Sequence, residues 1–160
     1  MLQIGDPLPD FAIPLARADG TKDRVSARSL WADGPLVLAF YPVAFTGVCS
    51  DQVCELRDAV AGLSALDATV VGFSIDTWAA NVAFARAHEL PYGLYSDANR
   101  EVVETIWETM SVVGIDRVAK RGYLVVDGHG IVRAKWLTDD ADEWLGLKAI
   151  ETALIDLKNR

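Results

Sequence analysis

The chain has 160 residues, enough for one packed core without metal or disulfide staples, and its 51% hydrophobic to 24% charged residues are the balance of an ordinary globular domain. The 23 acidic against 15 basic residues leave a net charge of −8, which argues against a phosphate-binding role, since nucleic-acid binders need a basic face. No apolar run reaches the roughly 18 residues of a membrane span, and the opening MLQIGDPLPDF lacks the basic-then-apolar order of a signal peptide, so a cytoplasmic protein is expected.

No repeat, low-complexity stretch or long linker divides the sequence, so residues 1–160 are expected to form a single domain. Pro7, Pro9 and Pro14 make the first segment extended and non-helical. Ser26 and Ser29 flank a short helical turn that ends near Gly34. The continuous apolar run Leu36–Tyr41 predicts a central strand covered on both faces. After a loop from Pro42 to Val48, a helix fits Ser50 to Ser64, with Val53, Leu56, Val60 and Leu63 at three- and four-residue steps.

Residues 69–76 read as a second buried strand, Trp78–His88 as a helix, Tyr92–Tyr95 as a short strand and Asn99 to about Trp107 as a helix. Gly122–Val126 and Ile131–Leu137 flank Asp127-Gly128-His129-Gly130, a strong hairpin signal. A last helix is expected from near Ala141 towards Leu157, with Asp139, Asp140, Asp142 and Glu143 complementing its dipole. The order β-α-β-α-β-α, hairpin, helix implies an α/β fold with a mixed, helix-flanked sheet, compatible with a thioredoxin-like fold.

The two cysteines, Cys49 and Cys54, are too few for a secreted disulfide scaffold, and a close pair in a reducing compartment is more often catalytic or redox-active. Cys49 falls where a strand and loop give way to a helix. Free N–H groups and the partial positive charge at a helix start favour thiolate over thiol, and the thiolate is the nucleophile. The alternative is a small buried apolar side chain, common for free cysteines.

Pro42-x-x-x-Thr46-x-x-Cys49 resembles the active-site motif of the peroxiredoxins, thiol peroxidases on a thioredoxin-like fold. The resemblance covers nearly the whole chain: Gly5–Phe11 is similar to the family's N-terminal segment, and Arg121, opening Arg121-Gly-Tyr-Leu-Val-Val-Asp127, matches its active-site arginine. Thr-Gly-x-Cys and AKRGYLVVDGHGIVR resemble the alkyl hydroperoxide reductase E branch. The second cysteine, in Cys49-x-x-x-x-Cys54 before Leu56-Arg57-Asp58, is similar to the peroxiredoxin Q, or bacterioferritin comigratory protein, branch.

The resemblance implies that Cys49 attacks a peroxide oxygen, that Thr46 and backbone N–H groups hydrogen-bond within the site, and that Arg121 stabilises the thiolate and orients the peroxide. Pro42 would wall the pocket. Attack leaves a sulfenic acid, which Cys54 would resolve as a Cys49–Cys54 disulfide recycled by thioredoxin or a glutaredoxin-like dithiol. Hydrogen peroxide and small organic hydroperoxides are the expected substrates, without metal, haem or flavin, in a monomer or homodimer. Read from the residues alone, Thr46 also suits a helix cap, Pro42 a strand end, Arg121 a surface ion pair and Cys54 plain helix packing.

Gln52, in the helix's first turn, suits either a hydrogen-bonding assistant or a solvated helix residue. His88 and His129 lack metal-ligand spacing with the cysteines. Trp78 is a candidate for the pocket mouth; the other tryptophans read as core or subunit contacts. Two other classes compete: a thioredoxin-like disulfide oxidoreductase, against which the four-residue gap between the cysteines argues, and a non-enzymatic redox sensor.

Overall fold

A computed structural model describes residues 1–160. The chain runs through β1 (Ala12–Ala16), β2 (Arg24–Ser26), α1 (Ala27–Trp31), β3 (Leu36–Phe40), α2 (Gly47–Ser64), β4 (Thr69–Ser74) and α3 (Trp78–Ala87). It continues through β5 (Leu94–Ser96), α4 (Val103–Ile106), β6 (Thr109–Val112), β7 (Ile115–Ala119), β8 (Gly122–Val126), β9 (Val132–Leu137) and α5 (Lys148–Lys158).

Seven strands form one sheet in the order β2-β1-β5-β4-β3-β8-β9, and β6 and β7 form a separate hairpin. β3, β4 and β5 are parallel neighbours, while β8 runs antiparallel to β3 and pairs with β9 as the expected hairpin. The mixed sheet flanked by helices is therefore as the sequence reading has it.

β3 is central and buried at every position. Its side chains alternate between two cores because successive strand residues point to opposite faces. Leu36, Leu38 and Phe40 join the core with Trp107, and Phe40 stacks on the Trp107 ring at 4.1 Å between centroids. Val37, Ala39 and Tyr41 join the other core with Cys49, Val53 and Leu56 of α2, Phe84 of α3 and Ile150 and Leu154 of α5. The helix that carries Cys49 thus packs on the face of the strand that leads into it.

Three expectations are corrected. The helix expected from Asn99 begins only at Val103, because the Asp97 carboxylate accepts from the N–H groups of Glu101, Val102 and Val103 and holds residues 97–102 in a turn. The last helix begins at Lys148, not near Ala141. Asp140 N–H donates to Thr138 Oγ1 and Asp142 N–H to Asp140 Oδ1, so short side chains capture the backbone that a helix would need. The acidic cluster therefore lies in a loop. The strand expected at Tyr92–Tyr95 is shifted to Leu94–Ser96, and β1, β2, β6 and β7 were not anticipated as strands.

Candidate functional site

The site is assembled where β3 ends and α2 begins. Pro42 is buried just beyond β3. The loop to the helix is pinned by Asp76, which accepts from Ala44 N–H at 2.9 Å and from Ser74 Oγ at 2.8 Å. Burial raises the Asp76 carboxyl above its ordinary value, against the lowering effect of these hydrogen bonds. Phe45 adopts φ +65°, costly for an aromatic residue, and its exposed ring leans edge-on against Phe84.

Thr46 is the N-cap residue, but its hydroxyl makes no capping bond; it donates back to the Val43 carbonyl oxygen at 2.9 Å. The helix starts at Gly47, three residues earlier than the apolar spacing implied. Cys49 consequently stands inside the first turn, where the N–H groups of Gly47, Val48 and Cys49 have no acceptor one turn back in the helix. Its side chain is fully buried and reduced.

Arg121 precedes β8, the antiparallel partner of β3, and this pairing carries its side chain across to α2. The next residue, Gly122, lies so close to β9 that a Cβ there would collide with the Trp136 carbonyl oxygen and the Leu137 backbone. Arg121 is only 1% exposed. Nη2 donates to Cys49 Sγ at 3.1 Å and to the Ala141 carbonyl oxygen at 2.8 Å. Nε donates to the same carbonyl at 3.0 Å, and Nη1 donates to Gln52 Oε1 at 2.7 Å.

Gln52 is fully buried and not a solvated helix residue. Its Nε2 donates to the Phe40 carbonyl oxygen at 3.1 Å, so it bridges the end of β3 to the arginine. The loop holding Ala141 is also tied to α2 through Trp144 Nε1, which donates to Glu55 Oε2 at 2.9 Å.

No carboxylate pairs with Arg121. A buried cation without an anion is costly. The Cys49 sulfur is the one partner at the guanidinium that can itself carry negative charge. The arrangement is chemically a nucleophilic sulfur held by a fixed positive fork at a helix start.

Of the residues singled out in the sequence, Cys49 and Arg121 are in direct contact, and Pro42 and Thr46 border the loop leading to Cys49. Cys54 is half-buried on the same helix as Cys49, and its thiol is free. Its Sγ lies 3.4 Å from His88 Nδ1, a proximity that a separation of 34 positions conceals in the sequence. The sequence reading also missed the Ala141 carbonyl and Asp76. Gln52 alone had a readable signal, since residues three apart share one helix face. Trp78 is 45% exposed with Lys22 Nζ over its ring.

The AhpC/TSA family matches residues 4–135. Peroxiredoxin bcp1 of Schizosaccharomyces pombe is 37% identical over 105 residues, covering 66% of this chain and 52% of that protein. Peroxiredoxin Bcp of Bacillus subtilis is 25% identical over 138 residues, covering 84% of this chain and 85% of that one. The crystal structure of peroxidoxin BcpB from Mycobacterium tuberculosis superposes with a TM-score of 0.82 at 28% identity, over 99% of this chain and 98% of that one. With this fold and a buried cysteine–arginine pair, the chain belongs to the AhpC/TSA family and is a peroxiredoxin, a thiol peroxidase.

Proposed function

We propose that Cys49 is the peroxidatic thiolate, and that the chain reduces hydrogen peroxide and organic hydroperoxides through a Cys49 sulfenic acid. The observation that carries this reading is the buried Arg121 fork, whose nearest chargeable partner is Cys49 Sγ at 3.1 Å. In the reaction the sulfur attacks one peroxide oxygen while the other departs as hydroxide or alkoxide. Arg121 holds positive charge where the oxygens gain electron density, and it is already oriented by Gln52 and Ala141. The Thr46 hydroxyl, already donating to Val43, has lone pairs left to accept from the peroxide, and the first-turn N–H groups of α2 donate. Pro42 walls the site without offering a backbone donor.

Cys54 then condenses with the sulfenic acid to give a Cys49–Cys54 disulfide, which thioredoxin or a glutaredoxin-like dithiol reduces. The chain acts as one catalytic unit in a reducing compartment such as the cytoplasm, as a monomer or homodimer.

Intact mass after one equivalent of peroxide tests the sequence of steps. Wild type is expected to lose two hydrogens, and Cys54→Ser to gain one oxygen. Cys49→Ser is expected to show no peroxide turnover, since an alcohol has no comparable anion to offer. Turnover surviving in that variant would falsify the assignment of Cys49.

A further inference from the structure

Cys54 faces the end of α3 rather than Arg121. Its Sγ stands 3.4 Å from Nδ1 of His88, the residue that closes that helix. His88 is held in place on several sides. The Phe84 ring packs edge-on at 4.9 Å between centroids, and the His88 N–H donates to the Phe84 carbonyl oxygen at 3.2 Å. Arg57 Nη1, one turn beyond Cys54 on α2, donates to the His88 carbonyl oxygen at 2.7 Å. Tyr92 Oη donates to the Val53 carbonyl oxygen at 2.6 Å and fixes the same turn of α2. A thiol and an imidazole nitrogen are thus held within hydrogen-bond reach, with Arg57 fastening the backbone of the same histidine.

Resting on the reading of Cys54 as the resolving thiol, we propose that His88 is the general base of the resolving step. Its Nδ1 takes the Cys54 thiol proton, and the resulting thiolate attacks the sulfenic sulfur of Cys49. The S–S bond forms as the S–O bond breaks. The departing hydroxide takes up the proton held by the imidazolium and leaves as water, and the imidazole is again neutral. Thiol plus sulfenic acid become disulfide plus water, and the oxidising equivalents are those the peroxide already delivered to Cys49.

The charged surroundings suit this transfer. Arg57, three residues on from Cys54, carries a positive charge that also pairs with Asp58 on its own helix. From the segment after α3, Glu89 acts on Arg57, and Tyr92 is kept neutral because burial holds its phenol far above the physiological range. A base must lie within hydrogen-bond reach of the proton it removes, and the 3.4 Å separation at a sulfur meets this condition.

His88→Asn preserves a polar atom near the Nδ1 position but cannot take up a proton. A free cysteine is only about 3% ionised near neutral pH, so complete activation by a base is worth up to about thirtyfold. Rapid-quench mass spectrometry after hydrogen peroxide follows the sulfenic acid into the disulfide. Relative to sulfenic acid formation, that conversion is expected to slow by roughly ten- to thirtyfold in His88→Asn near neutral pH. The deficit is expected to close above about pH 9.5, where the thiol ionises unaided. Equal slowing at every pH, or none, overturns the role.

Alkylation of Cys54 by iodoacetamide in a Cys49→Ser background reads the pair without peroxide chemistry. Adding His88→Asn is expected to move the pH midpoint of alkylation upward, and an unmoved midpoint overturns the proposal. A moved midpoint in a protein whose wild type forms no disulfide also overturns the step, and places the fault in the reading of Cys54 rather than in the Cys54–His88 pair.

Discussion

Arg121 Nη2 lies 3.1 Å from Cys49 Sγ, and both side chains are sealed from solvent although 72 residues separate them in sequence. The contact is a product of sheet topology: β8 lies antiparallel beside β3, with Phe40 opposite Gly122, so the residue before β8 meets the helix after β3. Because the guanidinium has no carboxylate partner, its charge is free to act on the sulfur. Arg121→Lys keeps the charge but cannot satisfy Cys49, Gln52 and Ala141 together. Peroxide oxidation of Cys49 in Arg121→Lys is expected to fall by about ten- to a hundredfold, measured by stopped-flow kinetics. In Arg121→Ala, which removes the charge altogether, the fall is expected to be at least as large. Wild-type oxidation rates in both variants would remove Arg121 from the chemistry.

Gln52 shares the guanidinium with the sulfur. Its Oε1 accepts from Arg121 Nη1 at 2.7 Å while its Nε2 satisfies the Phe40 carbonyl oxygen. Gln52→Glu places a carboxylate on the far side of the guanidinium and gives it an anion other than Cys49. It also removes the donor to Phe40. Oxidation by peroxide is expected to slow by about tenfold or more. A variant that reacts as fast as wild type would show that Gln52 only packs.

The sequence made the scaffold legible where one signal dominated. The apolar run at Leu36–Tyr41 and the Asp127–Gly130 turn each produced the expected strands, because burial on both faces and turn chemistry leave little alternative. It failed where side chains compete with the backbone. Asp97 delays α4 and the Thr138–Asp142 turns delay α5, although both stretches look helical by composition and charge. The Cys49–Arg121 pairing was reachable through a family resemblance, whereas the Cys54–His88 contact depends on how α3 ends against α2 and leaves no mark in spacing. The Ala141 carbonyl was hidden for another reason: any residue type can supply a backbone acceptor.

Asp127 ties the β8–β9 turn together. Burial pushes its carboxyl up, but Arg133 Nε at 2.8 Å and the N–H groups of Ile131 and His129 outweigh this and hold it below the ordinary range. A carboxyl lowered in the folded state stabilises the fold above its unfolded value of about 3.9, and loses that contribution as pH falls through the folded value. Asp127→Asn is expected to cost about 1–2 kcal/mol near neutral pH, from urea midpoints. The gap from wild type is expected to narrow as pH falls below about 4. A gap that stays constant across this range would mean that the turn depends on shape and not on the carboxylate's charge.

The final expectation concerns the motion that a Cys49–Cys54 disulfide requires. α2 is continuous from Gly47 to Ser64 with both thiols free. Residues five apart in such a helix rise about 7.5 Å and turn roughly 140°, whereas disulfides need Cα atoms within about 4.4–6.8 Å and sulfurs facing each other. Oxidation must therefore unwind the helix around residues 50–54. The fastenings at the end of that stretch and beyond it limit further melting: Tyr92 holds the Val53 carbonyl, and Arg57 holds the end of α3. Opening is cheapest at the helix start, where Phe45 already carries an unfavourable φ and Thr46 makes no side-chain cap. Amide hydrogen exchange is expected to accelerate at residues 50–56 when the disulfide forms, with the amides of β3 and β4 staying protected. Equal protection in reduced and oxidised protein, with the disulfide confirmed by mass, would show that the bond forms without unwinding and that this coupling is wrong.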